Sequence, residues 1–211
     1  MLDAAARARV APGLDAAAAW LHRRGVSAAA VTWLGLLAGI GACAAAATST
    51  WAVALALWLL NRTLDGLDGA IARREGPTDL GGMLDLLADF VVYGGFLLAV
   101  AVAIPGARIA CSAALVAVLL NNVALLSFAS LVEKRGLAFG DERSLRFTSA
   151  LVEGTETIVV YALICVLPGQ AELIVWGFAA AVAVGVLQRI ALARAALGSQ
   201  TPARASRTAG H

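Results

Sequence analysis

The chain has 211 residues, 61% hydrophobic, 14% charged and 6% aromatic, and its mean hydropathy of +0.84 lies beyond that of a water-soluble domain of this size. Sixteen Lys and Arg against fourteen Asp and Glu leave a net charge of +2, too little basic excess to call for nucleic acid. The composition therefore excludes a soluble enzyme and points to an all-α integral membrane protein surrounded by lipid. Cys43, Cys111 and Cys165 each sit in an apolar stretch without paired spacing, so they read as packing residues rather than a disulfide framework or zinc site.

Along the chain, Asp3 and the late start of the first long apolar run, after Arg24, do not match a cleavable signal, and none is expected. Leu14, Ala18 and Leu21 recur at helical spacing beside Trp20, His22, Arg23 and Arg24, which predicts an interfacial amphipathic helix over about 13–25; an ordinary juxtamembrane helix explains the pattern equally well. Six transmembrane helices follow, over about 28–47, 51–73, 82–104, 109–132, 147–167 and 173–197. The second is apolar only to Leu60 and must continue through Asn61, Arg62, Asp65 and Asp68 to reach a spanning length. The third mirrors it, with Asp85 and Asp89 near its start and an uncharged run over 90–104. Pro105-Gly106 and Pro168-Gly169 stop the third and fifth spans. These elements form one membrane domain over 1–198, followed by a polar, disordered tail over 199–211.

With six spans, fourteen of the Lys and Arg residues fall on one side and only Arg108 on the other, Arg62 lying inside the second helix. Positive charge gathers in cytoplasmic loops, so both termini are expected in the cytoplasm of a bacterial-type inner membrane.

Charges inside a bilayer are costly and mark partners or water-filled cavities, which makes Asp65, Asp68, Asp85 and Asp89 the centre of the chemistry. Three-residue and four-residue spacings put each pair on one helix face, and the short connection over 74–82 makes the two helices antiparallel neighbours with all four acids at one depth. Such a set repels itself unless it protonates or binds cations, and all-oxygen ligands suit Mg²⁺ or Mn²⁺. Two such ions clamp a pyrophosphate and stabilise both oxygens of a displacement at phosphorus. Gly66, Gly69, Gly81 and Gly82 leave room for a ligand, and Arg73 and Thr78 can reach phosphate oxygens. Ion pairing alone, such as Arg62 with Asp65, is the plainer explanation, but Arg62 and Arg73 cannot neutralise four acids.

Asp65, Asp68, Gly69, Ala72, Arg73, Gly81, Asp85 and Asp89, eight residues at set spacing over 25 positions, resemble the signature of the CDP-alcohol phosphotransferase family. The resemblance implies a metal-dependent enzyme of phospholipid synthesis in which an alcohol hydroxyl attacks the β-phosphate of a CDP-alcohol and releases CMP. By the same analogy Asp65 and Asp85 would contact both metals, Asp68 one and Asp89 the other, and Asp89 would be the general base. Gly69, Ala72, Arg73 and Gly81 would line the CDP pocket, and a homodimer is implied. One departure lies at the start of the first span: 28–32 reads Ala-Ala-Ala-Val-Thr, which keeps Thr32 as a nucleotide contact but lacks the family's frequent Pro-Asn, so no Asn side chain is available at Ala29.

For the acceptor pocket the candidates are Lys134, Arg135, Arg143 and Arg146 in the loop between the fourth and fifth spans, Glu153 and Glu156 on one face of the fifth, and Arg189. The four cations suit a phosphorylated acceptor or anionic head groups, or are simply cytoplasmic loop charge. Relatives with phosphorylated acceptors tend to carry basic residues where the two glutamates stand, so these favour a neutral or cationic small alcohol, unless they pair with Arg143, Arg146 or Arg189. Asn121 and Asn122 read as helix-to-helix or dimer contacts. CDP-diacylglycerol is the expected donor; transfer of phosphocholine or phosphoethanolamine from a soluble CDP-alcohol to diacylglycerol is the alternative. Intramembrane prenyltransferases lack the Gly69, Ala72, Arg73 pattern, and a divalent-cation transporter would need acids along a path, which 90–104 does not offer.

Overall fold

A computed structural model describes residues 2–134 and 154–198, all of its regular structure helical. Seven α-helices occur among them: α1 (Leu2–Arg23), α2 (Ala28–Ala47), α3 (Trp51–Glu75), α4 (Asp79–Ala103), α5 (Arg108–Lys134), α6 (Gly154–Val166) and α7 (Ala171–Gly198). Short 3₁₀ turns, Pro105–Ala107 and Pro168–Gln170, lead into α5 and α7. Proline at the start of each turn cannot extend the preceding helix, so the chain reverses there.

Four helices among the described residues are long and apolar enough to cross a membrane: α2, α4, and α5 and α7 with their 3₁₀ turns. The other two expected spans differ for separate reasons. α3 has the length, but Arg62, Asp65 and Asp68 interrupt its apolar run. α6 is described for only 13 residues, and 147–153, the expected start of that span, lies outside the described residues. The N-terminal helix is longer than expected and starts at Leu2 rather than near 13. Its Ala18 is buried, and Leu14 and Leu21 pack with it near Leu67, Ala70 and Ile71 of α3, while Trp20 is exposed under the Arg24 guanidinium. α4 begins at Asp79, three residues before the expected boundary, because Thr78 caps it: its Oγ accepts from the Gly81 amide at 3.1 Å. Gly25 (φ 77°) and Gly76 (φ 96°) end α1 and α3 in a region that only glycine enters freely.

Small residues let the helices approach closely. Ala42, Ala46 and Ala54 are fully buried, and the interior around them is filled by Trp58, Phe96, Leu97 and Tyr161. Large aliphatics point outward instead, Ile109 and Leu173 being 74% and 71% exposed, as expected where lipid replaces water and packing rather than hydrophobic burial joins the helices. The tightest approach is Gly39 of α2 against α4, where an added Cβ would overlap both Val92 methyl groups and come within 3.1 Å of Asn61 Nδ2. Gly39→Ala is therefore expected to cost about 1–3 kcal/mol by overpacking. The check is a lowered thermal midpoint in detergent that Val92→Ala restores; an unaltered midpoint would contradict this contact.

Candidate active site

α3 and α4 flank the turn at Gly76–Thr78, both packed against α2, and each carries its acids in the half nearer that turn. Asp68 is buried (4% exposed), and Asp65, Asp85 and Asp89 are half-buried. Thr32 of α2 donates its hydroxyl hydrogen to Asp68 Oδ2 at 2.7 Å. On the other pair, Arg62 Nη2 donates to Asp89 Oδ1 at 2.8 Å, and Nη1 lies 3.7 Å from Asp65 Oδ2. The expected Arg62–Asp65 pair is thus present but long, and the stronger bond crosses to α4. No three His, Cys, Asp or Glu side chains among the described residues converge as a ready-made coordination sphere. The donor chemistry nevertheless suits hard divalent cations: Asp65 and Asp68 of α3 and Asp85 and Asp89 of α4 are all carboxylates, and the buried guanidinium of Arg62 stands against only two of them, Asp65 and Asp89.

Beside the acids lies a cavity of about 380 Å³. Its wall contains Thr32, Asp68, Gly69, Ala72, Thr78, Gly81 and Asp85, and continues over Trp33, Leu36, Leu84, Leu87 and Val91. Five of the six residues expected at the nucleotide, Thr32, Gly69, Ala72, Thr78 and Gly81, are therefore on one surface. Arg73 is not on that wall. Its side chain is 69% exposed, with Nη2 3.9 Å from Asp15 Oδ1 and Nη1 3.7 Å from where a Gly69 Cβ would stand, so it lies at the rim. Asp65 and Asp89 are also absent from the wall and face Arg62. Also on that wall, Glu75 accepts from the Ala28 amide at 3.2 Å at the start of α2, where Ser27 is the N-cap, a link between chain-distant residues that no local pattern signals.

Of the residues expected at the acceptor, Arg135, Arg143, Arg146 and Glu153 lie outside the described residues. Lys134 is exposed at the end of α5. Glu156 is half-buried near the start of α6, and Arg189 Nε donates to Asn121 Oδ1 at 3.1 Å, joining α7 to α5. That bond gives Asn121 the helix-joining role expected of it.

The chain matches the family model described as CDP-alcohol phosphatidyltransferase over residues 26–187. It is 36% identical over 177 residues to "Inner membrane protein YnjF" of Escherichia coli (strain K12), covering 80% of this chain and 83% of that one. Its fold is similar to crystal structures of Mycobacterium tuberculosis phosphatidylinositol phosphate synthase (PgsA1). With CDP-DAG bound the TM-score is 0.67 at 21% identity, covering 86% of this chain and 93% of that one. In complex with manganese and citrate it is 0.67 at 24% identity, covering 85% and 88%.

Proposed function

The chain belongs to the CDP-alcohol phosphatidyltransferase family, and on that basis we propose that it transfers a phosphatidyl group from CDP-diacylglycerol to the hydroxyl of a small alcohol, releasing CMP. The observation that carries this reading is the cavity: a CDP-lipid needs a polar end for its diphosphate and an apolar flank open to the bilayer. Asp68, Asp85, Thr32 and Thr78 supply the first, and Leu84, Leu87 and Val91 the second. The CDP-DAG in a structural neighbour supports the same donor.

Asp65, Asp68, Asp85 and Asp89 would hold two divalent cations, Mg²⁺ or Mn²⁺, which when bound neutralise the diphosphate and stabilise the entering and leaving oxygens. A neighbour containing manganese supports this cation class. Thr32, Gly69, Ala72, Thr78 and Gly81 hold the CDP portion, with Arg73 over its rim. The small residues allow close approach, and Arg73 offsets diphosphate charge. Asp89 takes the proton of the acceptor hydroxyl as that oxygen bonds to the β-phosphorus. The bond from phosphorus to the bridging oxygen breaks, and CMP leaves with its electron pair. Lys134, Arg135, Arg143, Arg146, Glu153, Glu156 and Arg189 are assigned to the acceptor side.

The same reading has one domain over 1–198 with six spans, those of α3 and α6 being added to the four apolar helices. α1 lies in the interface, both termini and the site face the cytoplasm, and the protein works as a homodimer in a bacterial inner membrane, the location in its relative's name. Its test is CMP release by the purified full-length protein with magnesium and CDP-diacylglycerol, offered glycerol phosphate, inositol phosphate, inositol, serine and other small alcohols. Release with one acceptor is expected. Release only from CDP-choline or CDP-ethanolamine with diacylglycerol would overturn the donor assignment.

A further inference from the structure

Arg62 stands outside the eight motif positions, yet its side chain is only 6% exposed, deep in α3 between the buried Trp58 and Leu67. A guanidinium there is costly unless its donors are used. Nη2 donates to Asp89 Oδ1 at 2.8 Å, Nη1 to the Tyr93 hydroxyl at 2.6 Å, and Nε to Asn61 Oδ1 at 2.8 Å. The Trp58 and Tyr93 rings lie 4.9 and 4.8 Å from its central carbon.

Three of these partners, Asn61, Trp58 and Tyr93, are each tied to another helix. Asn61 Nδ2 donates to the Gly35 carbonyl of α2 at 2.9 Å, Trp58 Nε1 donates to the Ile158 carbonyl of α6 at 3.2 Å, and the Tyr161 hydroxyl donates to the Tyr93 carbonyl at 2.9 Å. Four helices thus hold one guanidinium in one orientation, and through it one carboxylate of α4. Neither Arg62 nor Asp89 lines the cavity that holds Asp68 and Asp85, so the clamp acts apart from the donor wall.

We infer that Arg62 is a positioning residue for Asp89, gripping one carboxylate oxygen so that the plane of the group is set and the second oxygen faces the acceptor hydroxyl. The inference rests on the reading of Asp89 as the proton acceptor. Arg62 stays protonated throughout: the proton moves from the hydroxyl to Asp89, and the guanidinium keeps its own. Tight local geometry is worth this investment because a general base acts only within hydrogen-bond reach of its proton.

The test compares wild type, Arg62→Met, Arg62→Lys, Tyr93→Phe and Asp89→Asn as full-length protein, by CMP release, by CDP titration calorimetry with Mn²⁺, and by the electron paramagnetic resonance spectrum of added Mn²⁺. Arg62→Met is expected to lower kcat by at least about tenfold with little change in CDP affinity. Arg62→Lys, which can still pair with Asp89, restores part of that loss, and Tyr93→Phe gives a smaller loss of the same kind. In the Asp89→Asn background Arg62→Lys costs no further residual activity, the signature of coupled residues. The Mn²⁺ spectrum of Arg62→Met moves toward that of Asp89→Asn. Wild-type kcat in Arg62→Met, a parallel loss of CDP affinity, or additive losses in the double variant would each overturn the assignment. Should Arg62→Met fail to fold, Arg62→Lys and Tyr93→Phe decide by the same readouts. If the wild type releases no CMP with any substrate, the functional reading fails, and an unaltered Mn²⁺ spectrum in the Arg62 variants separately overturns the positioning role.

Discussion

Asp89→Asn is expected to lower kcat by about 10²–10⁴-fold, the usual contribution of a positioned general base, while CDP binding with metal persists. The amide is nearly isosteric with the carboxylate and can still accept from Arg62 through its oxygen, so the 2.8 Å contact to Nη2 need not be lost. What disappears is the ability to take a proton from the attacking hydroxyl. In the proposed site Asp89 contacts only one cation and the amide oxygen can still ligate it, so the substitution acts on the chemical step rather than on donor capture. The measurement is CMP release under saturating donor, paired with calorimetry of CDP. Near-normal turnover would remove Asp89 from the base role.

Asp65→Ala and Asp85→Ala carry the second large effect: metal-dependent CDP binding is expected to vanish in both. In the proposed site each of these carboxylates serves both cations, so removing either weakens the whole positive charge that the diphosphate meets. The two variants should differ in a secondary way. Asp85 lies on the cavity wall, whereas Asp65 faces Arg62 at 3.7 Å. Truncating Asp65 therefore also removes a partner of a buried guanidinium and should reduce thermal stability more than truncating Asp85. Titration calorimetry with magnesium and with chelator reads the first effect, and thermal unfolding in detergent the second. Unaltered affinity in either variant would refute the shared-metal assignment.

Membrane residence, the bounds of α2, the start of α3 and the spacing of the acids along each helix all follow from local sequence. Hydropathy fixes where a helix can exist, prolines and glycines stop it, and a three- or four-residue spacing puts Asp65 with Asp68 and Asp85 with Asp89 on one face whatever the rest of the chain does. The eight-residue spacing carried the family for the same reason: it is written in consecutive helical turns joined by a short connection.

Contacts between helices distant in sequence were decided elsewhere. From the sequence, Arg62 had an obvious partner three residues away in Asp65; the fold instead gives its shortest carboxylate bond to Asp89, 27 residues on. Thr32 was expected on the nucleotide side and does line the cavity, but its bond to Asp68 was not foreseen, and Arg73, expected in the pocket, stands at the rim near Asp15. Glu75 as acceptor for the Ala28 amide left no sequence signal, and the apolar face of Leu14, Ala18 and Leu21 was legible in α1 without its partner, α3. A residue's own helix fixes the face it occupies, but its partner depends on how far neighbouring helices rotate and slide. Those quantities are set by small-residue contacts such as Gly39 against Val92 and by the buried aromatic cluster around Trp58, which exist only once the bundle has assembled.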